Sequence, residues 1–182
     1  MSAQLKLRGY QIGRRKAGRH MREMDIAYIP MKHGFLYLTA IIDWYSRCIV
    51  GWDVEDTLDT TMVINACKKA FKIAKPLIIN SDQGSQFTSD KYIDFIRNSE
   101  IRQSMDGKSR WADNIMIERW FRSFKYEEAY LTEYANLKEA REAIGRYIYT
   151  YNFERCHQSI GNKRPAEVYY PVMLLEAARA AA

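Results

Sequence analysis

Three apolar runs follow one another early in the chain: Ile26–Pro30, Phe35–Asp43 and Cys48–Val54. Lys32-His33-Gly34 and Trp44-Tyr45-Ser46-Arg47 break them. Short runs rich in Ile, Leu, Tyr and Val with turn breaks predict three antiparallel strands in a meander. The pattern then changes period. Val63, Ala66, Cys67, Ala70 and Phe71 recur at helical spacing behind Thr60 or Thr61 as a cap, and Pro76 ends the segment. Leu77-Ile78-Ile79 is fully apolar, as a buried central strand requires. A helix opens at Thr88 or Ser89 with Tyr92, Ile93 and Ile96 inward, and Ile101–Ser104 reads as a fifth strand. Met105–Ala112 is polar around Gly107 and reads as a loop. A long helix is expected over Asp113–Glu128 and another over Asn136–Tyr151. The order β-β-β-α-β-α-β-α-α predicts an α/β fold, a mixed five-stranded sheet with helices packed on it.

Composition changes this picture little. The 182 residues are 47% hydrophobic and 13% aromatic, which suits one globular core. No stretch reaches the roughly 18 apolar residues of a membrane span. Three scattered cysteines (Cys48, Cys67, Cys156) lack zinc-type spacing and read as free thiols in a reducing compartment.

Charge distribution says more. Residues 1–24 hold seven of the 28 basic residues, Arg14, Arg15 and Lys16 among them, and a single acid, Glu23. The remainder is formally neutral, with 21 bases and 21 acids. A basic arm on a neutral body predicts a phosphate-binding element beside a domain with its own acidic site. The expected division is a basic segment 1–24, a core 25–170 and a tail 171–182.

Three acids stand in regular structure or at its edge. Asp25 opens the first strand, Asp82 follows the short fourth strand, and Glu118 lies inside the long helix. A carboxylate at a buried strand end is costly unless it is paired or binds a metal. If strands one and four are neighbours, Asp25 and Asp82 face one another, and a divalent cation relieves their repulsion. Oxygen ligands select Mg²⁺ or Mn²⁺, and two such ions can hold the attacking and leaving oxygens of a phosphoryl transfer. Glu118, Arg122 and Lys125 share one helix face, an acid beside two candidate phosphate contacts. An ion-pair ladder on a solvated face is the competing reading of that helix.

At these residues a resemblance appears. Met24-Asp25-Ile26-Ala27-Tyr28-Ile29-Pro30, Ile42-Asp43-Trp44-Tyr45-Ser46-Arg47, Ser81-Asp82-Gln83-Gly84-Ser85-Gln86-Phe87-Thr88-Ser89 and Asp113-Asn114-Ile115-Met116-Ile117-Glu118-Arg119 resemble the integrase-like catalytic core of bacterial insertion-sequence transposases. The family pattern is Asp, Asp, then Glu after 35 residues, and 35 residues separate Asp82 from Glu118 here. Tyr151–Gly161 followed by Pro165 is similar to the family's C-terminal signature. The resemblance covers nearly all of residues 25–170.

It implies an RNase H-like fold and a metal-dependent enzyme that hydrolyses phosphodiesters and transfers DNA strands. Asp25, Asp82 and Glu118 carry over as catalytic metal ligands for two Mg²⁺ or Mn²⁺ ions. Asn114 and Lys125 fall where the family meets DNA, and Gln83–Gln86 where a loop flanks the second acid. The implied partners are transposon-end and target DNA and further copies of the chain, with no membrane, in the nucleoid-associated cytoplasm of a bacterium. His157 is open between packing or hydrogen bonding and DNA contact or proton shuttling. Asp43 reads as structural, with Ser46 and Arg47 as turn partners.

The sequence departs from the family just before Asp25. Residues 4–24 resemble the end of a helical DNA-binding region joined directly to the first strand. Either residues 20–24 serve as strand, or strand one starts late and Asp25 is misaimed. The second case is the basis of an alternative, a catalytically impaired DNA-binding remnant. Another RNase H-like nuclease is a further alternative.

Overall fold

A computed structural model describes residues 21–32, 34–72, 74–105 and 115–170. Strands β1 (Met21–Pro30), β2 (Phe35–Asp43) and β3 (Ile49–Glu55) form the expected meander. Helix α1 (Thr60–Phe71), strand β4 (Ile78–Ser81), a single turn α2 (Ser85–Thr88), helix α3 (Asp90–Asn98) and strand β5 (Arg102–Met105) follow. Helix α4 (Ile115–Phe124) runs into a π-helical stretch over Lys125–Ala129. Helix α5 (Leu137–Phe153) and the short α6 (Pro165–Tyr169) complete the order. The sheet order is β3-β2-β1-β4-β5, antiparallel on the meander side and parallel at β1-β4 and β4-β5.

Strand alternation divides the core into two layers. Ala27 and Ile29 of β1 face α4 and α5, where Ile117, Trp120, Phe124, Ile144 and Ile148 are buried. Met24 faces α1 and α3, against Val63, Cys67, Tyr92 and Ile96. A mixed sheet with helices on both faces results, as expected.

The largest departure from the sequence reading is β1 itself. It begins at Met21, so Asp25 sits mid-strand and does not open it. Residues 21–24, assigned above to the basic segment, are the first half of the central strand. Arg22 is 3% exposed and Glu23 is 0% exposed. The Arg22 guanidinium donates to the Tyr169 hydroxyl at 2.7 Å and the Ala70 carbonyl at 3.4 Å. These charges are buried with partners, which a charge count along the chain reads as surface.

Helix starts differ by small, explicable amounts. Asp59, not Thr60 or Thr61, caps α1, and its carboxylate accepts the Thr61 N–H. Ser89 caps α3 as expected. The long helix does not continue unchanged to Glu128. Tyr130 N donates to Lys125 O at 2.9 Å, a bond spanning five residues. A regular helix would bring Glu128 onto the face of Phe121 and Phe124. The wider turn puts Ala129 there, 1% exposed, and leaves Glu128 to accept from Thr132 and Tyr134.

Gly51 lets α1 lie close on β3. A Cβ at this position would stand 2.8 Å from Ala70 Cβ and collide with the Ala66 carbonyl. Gly51→Ala is therefore expected to destabilise the fold by about 1–3 kcal/mol, the usual scale of overpacking. A thermal melt checks this, and an unchanged midpoint would contradict the close packing.

Candidate active site

Asp25 and Asp82 meet through strand register. Met24 pairs with Ser81 across the parallel β1-β4 ladder, so the next residue of each strand stands side by side, roughly 5 Å apart in backbone. Strand alternation places Asp25 on the same sheet face as Glu23, Ala27 and Ile29, beneath α4. Glu118, in the first turns of α4, overlooks that face.

Asp25, Glu118, Arg122 and Lys125 line one open cleft of about 350 Å³, with Ile26, Ala27, Phe121 and Tyr126 as its other walls. Tyr126 is 64% exposed at its rim. The helix face predicted from i, i+4, i+7 spacing thus lines the same cleft as Asp25, with Glu118 and Arg122 exposed on it.

The electrostatics of Asp25 follow from this crowding. Burial pushes its carboxyl up from 3.8 to about 6. The Ile26 N–H, 2.7 Å from Oδ1, opposes the rise. The negative charges of Asp82 and Glu118 add to it, and Lys125 offsets part of it. Asp82, Glu118 and Lys125 are therefore each within electrostatic reach of Asp25. Burial and like charge both favour a neutral carboxyl, and a cation would reverse that preference.

Asp82 is held by its own turn. Its Oδ1 accepts the Gly84 N–H at 2.9 Å. The Gly84 carbonyl accepts from Phe87 and Thr88, so Ser85–Thr88 is a helical turn where a loop over Gln83–Gln86 was expected. Phe87 is buried and anchors that turn to the core.

The donor set is all hard oxygen, which suits Mg²⁺ or Mn²⁺ and excludes a thiophilic metal. Cys48 and Cys67 are buried and free, and burial pushes the Cys48 thiol up to about 12. Among the described residues, no three His, Cys, Asp or Glu side chains are gathered closely enough to grip one ion as they stand. Asp25 and Glu118 line the cleft and Asp82 stands beside Asp25 on the neighbouring strand, without the three being closed on a single point.

One acid of the site escaped the sequence reading. Glu23 lies two residues before Asp25 on the same strand face. Its Oε2 accepts the Met116 and Ile117 N–H groups at 3.1 Å each, and its Oε1 accepts the Trp44 indole N–H. Burial pushes its carboxyl up to about 7 against these hydrogen bonds. The available signal was the i, i+2 spacing of Glu23 and Asp25, together with its isolation as the single acid of a basic stretch.

Asp43 has the structural role expected of it. Its Oδ2 accepts from Ser46 N at 2.9 Å and Ser46 Oγ at 2.7 Å, and its carbonyl accepts from Arg47 N. His157 follows α5 and packs edge-on against Tyr151, 4.5 Å between ring centroids, which favours its packing reading. Within the C-terminal signature, Asn152 bonds both the N–H and the carbonyl of Ile49 at 2.9 Å, tying α5 to β3. Asn114, Arg14, Arg15 and Lys16 lie outside the described residues.

Five strands in this order with helices on both faces define an RNase H-like fold. The chain belongs to the integrase core domain family, which matches residues 16–110 and again residues 99–165. It is 36% identical over 148 residues to the transposase for insertion sequence element IS904 of Lactococcus lactis subsp. lactis (strain IL1403), covering 79% of this chain and 58% of that protein. It is 29% identical over 147 residues to transposase InsF for insertion sequence IS3A of Escherichia coli (strain K12), covering 79% and 51%. The chain thus spans somewhat more than half the length of these relatives.

Among solved structures, the fold matches the HTLV-2 integrase catalytic core domain in complex with magnesium, with a TM-score of 0.68 at 22% identity, covering 83% of this chain and 96% of that one. The catalytic core domain of BIV integrase matches at TM-score 0.68 and 18% identity, covering 87% and 99%.

Proposed function

We propose that this chain is the catalytic core of an insertion-sequence transposase that hydrolyses phosphodiesters at DNA ends and transfers the freed strand to target DNA. The observation that carries this reading is the placement of Asp25 beside Asp82 by the parallel β1-β4 register and beside Glu118 in one cleft. The three carboxylates are the proposed ligands of Mg²⁺ or Mn²⁺. Two such ions, when bound, would supply an activated water or hydroxyl and stabilise the leaving oxygen. Magnesium in the HTLV-2 integrase core of the same fold supports that choice of metal.

The chain's own residues do the rest. Arg122 and Lys125 project from the Glu118 face into the cleft, where they would hold phosphate oxygens beside the carboxylates. Asn114 and the basic residues Arg14, Arg15 and Lys16 are proposed as further DNA contacts. The partner is DNA, held by more than one copy of the chain, since joining two ends to a target needs two active centres. Among the described residues no helix is long and apolar enough to cross a membrane. A nucleoid-associated site of action follows from the DNA substrate.

The impaired-remnant alternative rested on a first strand lacking its upstream half. A ten-residue β1 with Asp25 in its middle supports the catalytic reading over that alternative.

The test is nicking and strand joining on a labelled duplex carrying the element's own ends. Activity should appear with Mg²⁺ or Mn²⁺, vanish with EDTA, and return when metal is restored in excess. Cleavage that persists in EDTA, or a strong preference for RNA–DNA hybrid over DNA duplex, would sink the reading.

A further inference from the structure

We propose that Glu23 is a positioning residue that locks helix α4, and with it Glu118, to the strand that carries Asp25. The inference rests on the proposed function, because it assigns Glu23 a part in metal binding by the cleft.

The geometry is specific. Glu23 is completely buried, and one of its carboxylate oxygens takes both the Met116 and the Ile117 N–H at 3.1 Å. These belong to the first turn of α4, whose N–H groups have no acceptor within the helix. A carboxylate from another element thus caps the helix, where negative charge is also favoured by the helix dipole. The other oxygen takes the Trp44 indole N–H, so the side chain cannot rotate without losing a bond. The residue after Ile117 is Glu118. The residue two before Asp25, on the same face, is Glu23. One side chain therefore connects two carboxylates that the chain separates by 92 intervening residues.

Burial alone does not call for an acid here. A well-packed apolar residue in place of a buried charge is often neutral or stabilising. What an apolar residue lacks is direction: it would let α4 slide or turn on the sheet at little cost. Metal ligands need placement within about 0.5 Å, which three directed hydrogen bonds provide.

The experiment compares Mn²⁺ affinity of the full chain, by electron paramagnetic resonance of free Mn²⁺, in wild type, Glu23→Ala, Glu23→Gln and Ile96→Ala. Ile96 is buried on the opposite face of the sheet and serves as a control for lost stability. Measurements are made well below each melting midpoint. Glu23→Ala should weaken Mn²⁺ binding about 10–100-fold, the usual scale for a residue that orients a ligand. Ile96→Ala should bind as wild type despite its lower midpoint.

In Glu23→Gln the amide NH₂ faces the Trp44 N–H, donor against donor. Its affinity should also fall, and Trp44→Phe in the same chain should restore part of it. A purely structural role predicts no such rescue. If Glu118→Gln loses Mn²⁺ while both Glu23 variants keep wild-type affinity, the role of Glu23 is overturned and the metal site stands. If wild type binds no Mn²⁺, the metal reading of the cleft falls and this inference with it.

Discussion

Glu118→Gln is expected to abolish metal-dependent cleavage and joining of DNA, by at least about 10³-fold, with the fold intact. The change removes one negative charge and little volume. Glu118 is exposed on α4, so its own contribution to stability is small and the melting midpoint of the metal-free chain should move little. The loss in rate is large for a different reason. A ligand that helps fix a metal acts on charge that develops in the transition state, and 10³-fold corresponds to only about 4 kcal/mol of barrier. Single-turnover nicking at saturating DNA separates this from a binding defect. Binding should survive, because Arg122 and Lys125 remain on the same face. A variant that nicks within tenfold of wild type would remove Glu118 from the proposed site.

Asp25→Asn is expected to abolish the same activity and yet make the metal-free protein more stable at neutral pH. In the folded chain the Asp25 carboxyl is raised from 3.8 to about 6, chiefly by burial and further by Asp82 and Glu118. A raised folded pKa means that the charged form is the disfavoured one. The stabilising contribution is complete below about pH 4 and is lost as pH rises through 6. Asn cannot ionise and escapes that loss. After discounting for partial exposure and screening, the gain is on the order of 1 kcal/mol, or about 2–4 °C in midpoint for a chain of this size.

The difference between variant and wild type should therefore open between pH 4 and pH 6 and stay open at pH 7.5. Glu23, raised to about 7, titrates in both proteins and largely cancels from the comparison. Adding Mg²⁺ should raise the wild-type midpoint at pH 7.5 and leave Asp25→Asn nearly unmoved. A variant less stable than wild type at pH 7.5 in EDTA would mean that Asp25 is held by a partner, not strained by its neighbours. The expected pattern is the familiar exchange of stability for function at a site of gathered like charge.

The two experiments probe different parts of one arrangement. Glu118 tests whether the exposed acid acts on the chemistry. Asp25 tests whether the half-buried acid bears the strain of waiting for a cation.

Much of this arrangement is written along the chain. Apolar runs with period two and period 3.6 mark five strands and the main helices within a few residues, because alternation is forced wherever a strand or helix has one face in the core. The spacing of Glu118, Arg122 and Lys125 fixes a shared helix face for the same local reason. The 35 residues between Asp82 and Glu118, with their surrounding motifs, carry the family resemblance, which the match of the integrase core domain to residues 16–110 and 99–165 supports.

Only the tertiary structure decided where β1 begins and what Glu23 does. Arg22 and Glu23 look like members of a solvated basic arm, since charge counted along a sequence carries no information about partners far away in the chain. Tyr169 and the Ala70 carbonyl satisfy the first, and Trp44, Met116 and Ile117 satisfy the second. The π-helical turn at Lys125 likewise depends on whether Glu128 or Ala129 meets the core, which is a question of packing and not of propensity. The sequence by itself determined the acids, their spacing and the elements that bear them. The fold alone determined that Asp25 and Asp82 lie side by side, through a parallel register that pairs residues 57 positions apart, and that a buried carboxylate ties Asp25's strand to Glu118's helix.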